Sequence, residues 1–150
     1  MRLIVSIAVC LGAAGLGSLL TTPALRPWYA DLSKPTWTPP NWLFGPVWTL
    51  LFIAMAIAAW LVWQKIGLKS APMQLFLLQL LFNVAWSALV FGLRSPGLAF
   101  AEIVLLWLAI LATLIQFWKA VPVAGWLLLP YLMWVAYAAA LNFSIWRLNA

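Results

Sequence analysis

The chain has no histidine, one cysteine and two acidic residues, Asp31 and Glu102, among 150 positions. Without imidazole there is no His-ligated metal or haem iron, and no catalytic triad that uses histidine as its base. The lone Cys10 sits inside the first apolar run and builds neither an intrachain disulfide nor a cysteine metal cluster. Two isolated carboxylates do not make a hydrolase, and a proton relay would need a second intramembrane acid, which the chain lacks. Charge is scarce throughout. Soluble domains carry about 25% charged residues; this chain carries 7%, too few to surround a water-soluble globule.

What is present is apolar: 67% hydrophobic residues and a mean hydropathy of +1.08. A bilayer-spanning helix needs about 20 apolar residues, and the runs supply five spans, near residues 3–20, 43–63, 72–93, 98–118 and 123–146. A transmembrane barrel would instead alternate apolar and polar residues over segments of about ten, whereas these runs are unbroken. The expected fold is therefore an all-α integral membrane protein, multi-pass, a single domain over residues 1–150 forming a five-transmembrane-helix up-down bundle. Brief connections make successive helices antiparallel neighbours. The first run is long for the apolar core of a signal peptide. It is also studded with Gly12, Ala13, Ala14, Gly15, Gly17 and Ser18, which let a neighbouring helix approach closely. It reads as a retained span, although Thr22-Pro23-Ala24 offers small residues at a cleavage position.

The net charge of +6 does not point to nucleic acid, because the basic residues stand singly at the ends of apolar runs, where lipid head groups lie. One side collects Arg2, Lys65, Lys69 and Lys119, the other Arg26, Lys34, Arg94 and Arg147. With the basic residues evenly split, the positive-inside rule favours neither orientation, and the odd number of spans puts the termini on opposite sides. Glu102 reads as an interfacial carboxylate near the start of the fourth span, eight residues from Arg94 and favoured by the helix dipole.

Residues 21–42 break the apolar pattern with five of the ten prolines, Pro23, Pro27, Pro35, Pro39 and Pro40. Prolines at that density block a regular helix, while Trp28, Tyr29, Trp37 and Trp42 prefer the head-group region or a protein cavity to open water. A structured Pro/Trp-rich first loop is expected, folded as a lid over one membrane face. Trp28, Lys34, Pro35, Trp37, Pro39 and Pro40 form it, and Asp31 and Lys34 steady it by hydrogen bonds.

Polar groups inside a span are costly unless they pair or face a cavity. Gln79, Asn83 and Ser87 recur every four residues on one stripe of the third span, with Trp86 beside them. Pro130, Trp134, Ala138 and Asn142 do the same in the fifth span, and Trp48, Phe52 and Met55 in the second. Such amides can simply bond helix to helix. The sharper expectation is an indole-walled cavity in the lid half of the bundle, suited to a large planar apolar ligand. Twelve tryptophans favour it, since packing alone is met more simply by Leu and Phe. A third reading is a scaffold without a ligand, dimerised through small-residue faces, Ala13 with Gly17 or Ala54 with Ala58.

Trp28-Tyr29, the stretch Leu32-Ser33-Lys34-Pro35-Thr36-Trp37-Thr38-Pro39-Pro40 and then Phe44-Gly45-Pro46-Val47-Trp48-Thr49 resemble the first loop and second helix of the TspO/MBR family. That family includes the tryptophan-rich sensory proteins of bacteria and the mitochondrial translocator protein. Gln79 to Ser87 and Pro130-Tyr131-Leu132-Met133-Trp134 through Leu141-Asn142-Phe143 to Trp146-Arg147-Leu148-Asn149 match further blocks. The resemblance implies a bundle, usually dimeric, in a bacterial cell membrane. It binds porphyrins such as protoporphyrin IX and haem, and benzodiazepine-type ligands. By match of motif the pocket would be lined by Tyr29, Trp48, Phe52, Asn83, Trp86, Trp134, Ala138 and Asn142. No cofactor is obligatory; the implied partners are a porphyrin or other hydrophobic small molecule, membrane lipid and a second copy. The function so implied is porphyrin transport or stress sensing. Light-dependent porphyrin degradation is the alternative, with Trp48 and Trp134 the residues implicated. Phe143 stands where the animal sterol motif wants a tyrosine between Leu141 and Arg147, which weighs against cholesterol.

Overall fold

A computed structural model describes residues 1–24, 33–38, 41–89 and 96–149. Five helices follow one another: α1 (Arg2–Ala24), α2 (Asn41–Ile66), α3 (Ala71–Ser87), α4 (Pro96–Ala120) and α5 (Pro122–Asn149). Among the described residues there is no strand. Gly45–Ile66, Gly97–Ala120 and Pro122–Asn149 are long and apolar enough to cross a bilayer, and Arg2–Leu16 and Ala71–Trp86 are shorter apolar helices beside them. Leu50, Leu81, Leu105, Val123 and Met133 point outward, as lipid-facing residues of an integral membrane protein do. The segments expected near 3–20, 43–63, 98–118 and 123–146 are helical, whereas of the segment expected near 72–93, residues 72–87 lie on α3 and 90–93 lie outside the described residues.

The boundaries are set by local chemistry. Helix α1 runs on to Ala24, so residues 21–24, expected in the loop, are helical. Pro23 falls in the last turn, and lacking an N–H it cannot make the bond to the carbonyl four residues back, which helps to end the helix there. Helix α2 ends at Gly67, whose φ of 88° is open to a residue without Cβ and whose N–H bonds the Trp63 carbonyl at 3.0 Å. The Ser70 hydroxyl then donates to the Gly67 carbonyl at 2.8 Å, and Pro72 occupies the first turn of α3. Only Val121 separates α4 from α5. Gly125 makes that hairpin possible: a Cβ there would lie 2.9 Å from the Trp118 Cα.

Around the bundle the order is α1, α2, α5, α4, α3, with α3 closing back on α1. Successive helices are close neighbours at α1–α2, α3–α4 and α4–α5, but α2 and α3 touch little despite their short turn. Helix α5 takes the place beside α2 instead, a pairing that loop length does not reveal. The Ser6 hydroxyl ties α1 to α2 through the Ala56 carbonyl at 2.7 Å. Ala13 and Ala58 are buried within the chain's own bundle, while Ala54 is partly exposed.

The two halves of the core differ. Towards the α2–α3 and α4–α5 turns the interior is mainly apolar, with Phe76 and Phe117 stacked at 5.7 Å and the buried Thr113 hydroxyl bonded within α4. There Lys65 donates to the Ala120 carbonyl at 2.6 Å and Arg2 lies over the Trp63 ring at 5.6 Å. The other half, below the first loop, holds the aromatic and amide groups.

Candidate functional site

Tyr131 organises the amides. Its hydroxyl, fully buried, accepts from the Asn83 amide nitrogen and donates to the Gln79 amide oxygen, each at 2.7 Å. The Gln79 amide nitrogen in turn reaches the Met55 sulfur at 3.9 Å. A relay of polar side chains thus joins α5 to α3 and α2. A second tie lies further towards the loop, where the Trp86 indole N–H donates to the Asn142 side-chain oxygen at 2.9 Å. The amides therefore hold helices together, as interhelical bonds in a low-dielectric interior do.

The rings of α2 and α5 form a continuous path. Trp48 lies 5.9 Å from Phe52, 6.3 Å from Tyr131 and 6.5 Å from Trp134. Trp134 meets Tyr137 at 5.6 Å, and Tyr137 meets Trp37 of the first loop at 5.4 Å. Centroid spacings in this range are those of favourable aromatic pairs, each worth about 0.5–1.5 kcal/mol beyond area burial. The path runs from the loop to the buried hydroxyl relay.

Residues 33–38 form a strap on α5. The Ser33 N–H donates to the Asn149 side-chain oxygen at 3.0 Å, and the Asn149 amide returns a bond to the Ser33 carbonyl at 2.8 Å. The Tyr137 hydroxyl donates to the Trp37 carbonyl at 2.5 Å. Asn149 and Tyr137 are about 18 Å apart along the helix, so the strap runs down the last turns of α5. Its end is closed by a turn in which Thr38 bonds the Pro35 carbonyl through both backbone and hydroxyl.

Between α2 and α5 lies a groove of about 580 Å³, lined by Leu43, Val47, Leu51, Pro130, Met133, Trp134 and Tyr137. Its volume is that of a small-molecule site, about 300–1,000 Å³, and its walls are almost wholly apolar. Pro130 and Met133 are exposed along it. Trp134 lines the groove and meets Trp48 edge to face.

Of the residues expected to line a pocket, Trp48, Phe52 and Trp134 come together. Asn83 joins them through Tyr131, while Trp86 and Asn142 pair with each other. Ala138 is buried on α5. Tyr29, Trp28, Pro39 and Pro40 lie outside the described residues. Lys34, Pro35 and Trp37 belong to the strap, with Lys34 and Pro35 half-buried. Sequence reasoning passes over the roles of Tyr131, Tyr137 and Asn149. A tyrosine one residue beyond Pro130, on the helix that carries the Trp134 stripe, is the available signal for the first. Glu102, expected at the interface, has both carboxylate oxygens buried without a hydrogen-bond partner among the described residues. No group of residues that could hold a metal ion occurs among the described residues.

The model of the TspO/MBR family matches residues 6–147. The chain is 43% identical to the tryptophan-rich protein TspO of Chlorobaculum tepidum, over 97% of both chains. It is 38% identical to the tryptophan-rich sensory protein of Cereibacter sphaeroides, over 95% of this chain and 88% of that one. It is also 40% identical to the human translocator protein, over 81% of this chain and 75% of that one.

Proposed function

Because the chain belongs to the TspO/MBR family, we propose that it binds a tetrapyrrole, protoporphyrin IX or haem, against Trp48, Phe52 and Trp134 under the strap. It serves there as a translocator or stress sensor in a bacterial cell membrane. The observation that carries this reading is the run of rings from Trp37 through Tyr137 and Trp134 to Trp48. A flat macrocycle exchanges ring-to-ring contacts for ring-to-macrocycle contacts at little net cost, since each aromatic pair is worth only about 0.5–1.5 kcal/mol. Lys34 on the strap and Arg147 in the last turn of α5 place cations at the same end of the bundle, where porphyrin carboxylates would be met.

Titrating protoporphyrin IX into the detergent-solubilised protein and following tryptophan quenching tests the reading. Replacing both Trp48 and Trp134 by Leu is expected to weaken binding strongly; unchanged affinity overturns the assignment. The edge-to-face pair of Trp48 and Trp134 favours a second reading, an enzyme that degrades porphyrin in light, because a stacked excited macrocycle has an indole electron donor beside it. Illumination of the complex in air would then yield a ring-opened product faster than it forms from free porphyrin.

A further inference from the structure

Four cations that stand singly in the sequence are gathered by the fold at the end of the bundle opposite the strap. Arg2 of α1 lies over the ring of Trp63 near the end of α2. Lys65 reaches from the last turn of α2 to the carbonyl of Ala120, the last residue of α4 and the one that follows Lys119. Lys69 stands in the turn that leads into α3, and all four side chains are exposed. An indole face and a carbonyl carry no formal charge, so the contacts of Arg2 and Lys65 hold these cations in place without neutralising them.

No acidic side chain offsets them. The chain has only two, Asp31 in the first loop and Glu102 in the second turn of α4, and both belong to the strap end. Counted as cations the two ends tie. Counted with their acids they differ: four cations and no acid here, four cations and two acids at the strap end.

The same end turns indoles outward. Trp118 and Trp126 pair at 6.0 Å and are 52% and 62% exposed. Gly125 permits this, because the hairpin brings Trp118 so close that a Cβ on Gly125 would stand 2.5 Å from the Trp118 Cβ. Both rings are thereby presented together, with Lys119 adjoining Trp118. Indoles so exposed belong at the boundary between hydrocarbon and head groups. The anion that meets the neighbouring lysines is then one carried by the bilayer rather than a soluble acid or a nucleic acid.

We infer that this end binds the head groups of anionic phospholipids, with Lys65 and Lys119 meeting the phosphate and the Trp118–Trp126 pair seated in the ester layer beneath. A choline head group brings its own ammonium among the lysines and cancels the attraction, whereas a glycerol head group leaves the phosphate charge unopposed. Lys65, already held by the Ala120 carbonyl, has two further N–H donors for a phosphate oxygen. It also loses less side-chain freedom on binding than a free lysine would. The inference concerns the end away from the strap and does not depend on the tetrapyrrole reading.

The full chain in phosphatidylcholine vesicles, probed with trace spin-labelled phosphatidylglycerol or spin-labelled phosphatidylcholine, provides the test by electron paramagnetic resonance. A cation close to an anionic lipid favours it about fivefold, so a several-fold preference for phosphatidylglycerol is expected, falling as salt is raised. The double variant Lys65→Gln/Lys119→Gln, in which the glutamine amide can still donate to the Ala120 carbonyl, is expected to lose most of it. Arg147→Gln, which removes one charge from the opposite end, is expected to lose much less. Equal association of the two lipids overturns the inference, as does a preference that ignores salt, survives in the double variant or falls equally in Arg147→Gln. Abolition of the preference by soluble glycerol phosphate at constant ionic strength also overturns it, since the site would then be one for a free anion. The salt titration needs no variant, and because no porphyrin is added, its failure leaves the quenching titration to decide the tetrapyrrole reading separately.

Discussion

The indoles of Trp48 and Trp134 meet edge to face, with centroids 6.5 Å apart and planes at 86°. The two residues come from helices distant in sequence, and their meeting depends on α5 lying beside α2. Trp48 also meets Tyr131 of the hydroxyl relay, and Trp134 meets Tyr137, which bonds the strap.

Tyr131→Phe removes one hydroxyl that serves two buried amides. Leaving a buried polar group unsatisfied costs about 1–3 kcal/mol, so the variant is expected to unfold in detergent at a clearly lower temperature than the parent. The drop should exceed that of Thr113→Val, whose hydroxyl bonds only the Ala109 carbonyl of its own helix. Equal midpoints for Tyr131→Phe and the parent would deny the relay its structural role.

Asn149→Ala removes both bonds to Ser33. A hydrogen bond is worth about 0.5–1.5 kcal/mol net, and every 1.4 kcal/mol is a factor of about ten. Hydrogen exchange of the peptide containing Ser33 is expected to quicken by roughly two- to tenfold, with α3 exchange unchanged. Exchange of Ser33 at the parental rate would mean that the strap is held elsewhere.

Two glycines that meet tryptophans should behave differently. A Cβ on Gly125 would lie 2.5 Å from the Trp118 Cβ and 2.9 Å from its Cα, atoms fixed by the backbone, whereas on Gly97 it meets the far edge of the Trp146 indole at 2.9 Å. Overpacking typically costs about 1–3 kcal/mol. Gly125→Ala is expected at the upper end and Gly97→Ala at the lower, compared by thermal unfolding in one detergent; the reverse order would contradict the hairpin geometry.

The chain has no histidine, so stacking and shape, rather than iron ligation, would hold a tetrapyrrole. Metal-free protoporphyrin IX and haem are expected to bind with affinities within a few-fold of each other by equilibrium titration. A large preference for haem, with the spectrum of a ligated iron, would mean that a side chain other than histidine ligates it, and would contradict binding by stacking and shape alone.

Much of this architecture is legible in the residues. Apolar length places the five helices within a few positions, and four-residue spacing picks out Asn83 on α3 and Trp134 on α5, because helical periodicity brings such positions to one face whatever the tertiary fold. Which faces meet is not legible in the same way. Nothing in the Gly67–Ser70 turn says that α2 turns away from α3 and packs on α5, and the groove exists only because of that pairing. Spacing alone makes Gln79 and Asn83 either pocket donors or interhelical ties; their partner Tyr131, being aromatic, blends into an apolar run, and its hydroxyl matters only once α3 lies opposite. Tyr137 and Asn149 likewise acquire their roles from a strap at least a hundred residues away in sequence.

The most direct measurement is an experimental structure of the protein with protoporphyrin IX bound. The macrocycle should lie in contact with Trp48 and Trp134, beneath the strap and with its carboxylates towards Lys34 and Arg147. A macrocycle on the outer surface of the bundle, with the Trp48–Trp134 pair still closed edge to face, would contradict the account.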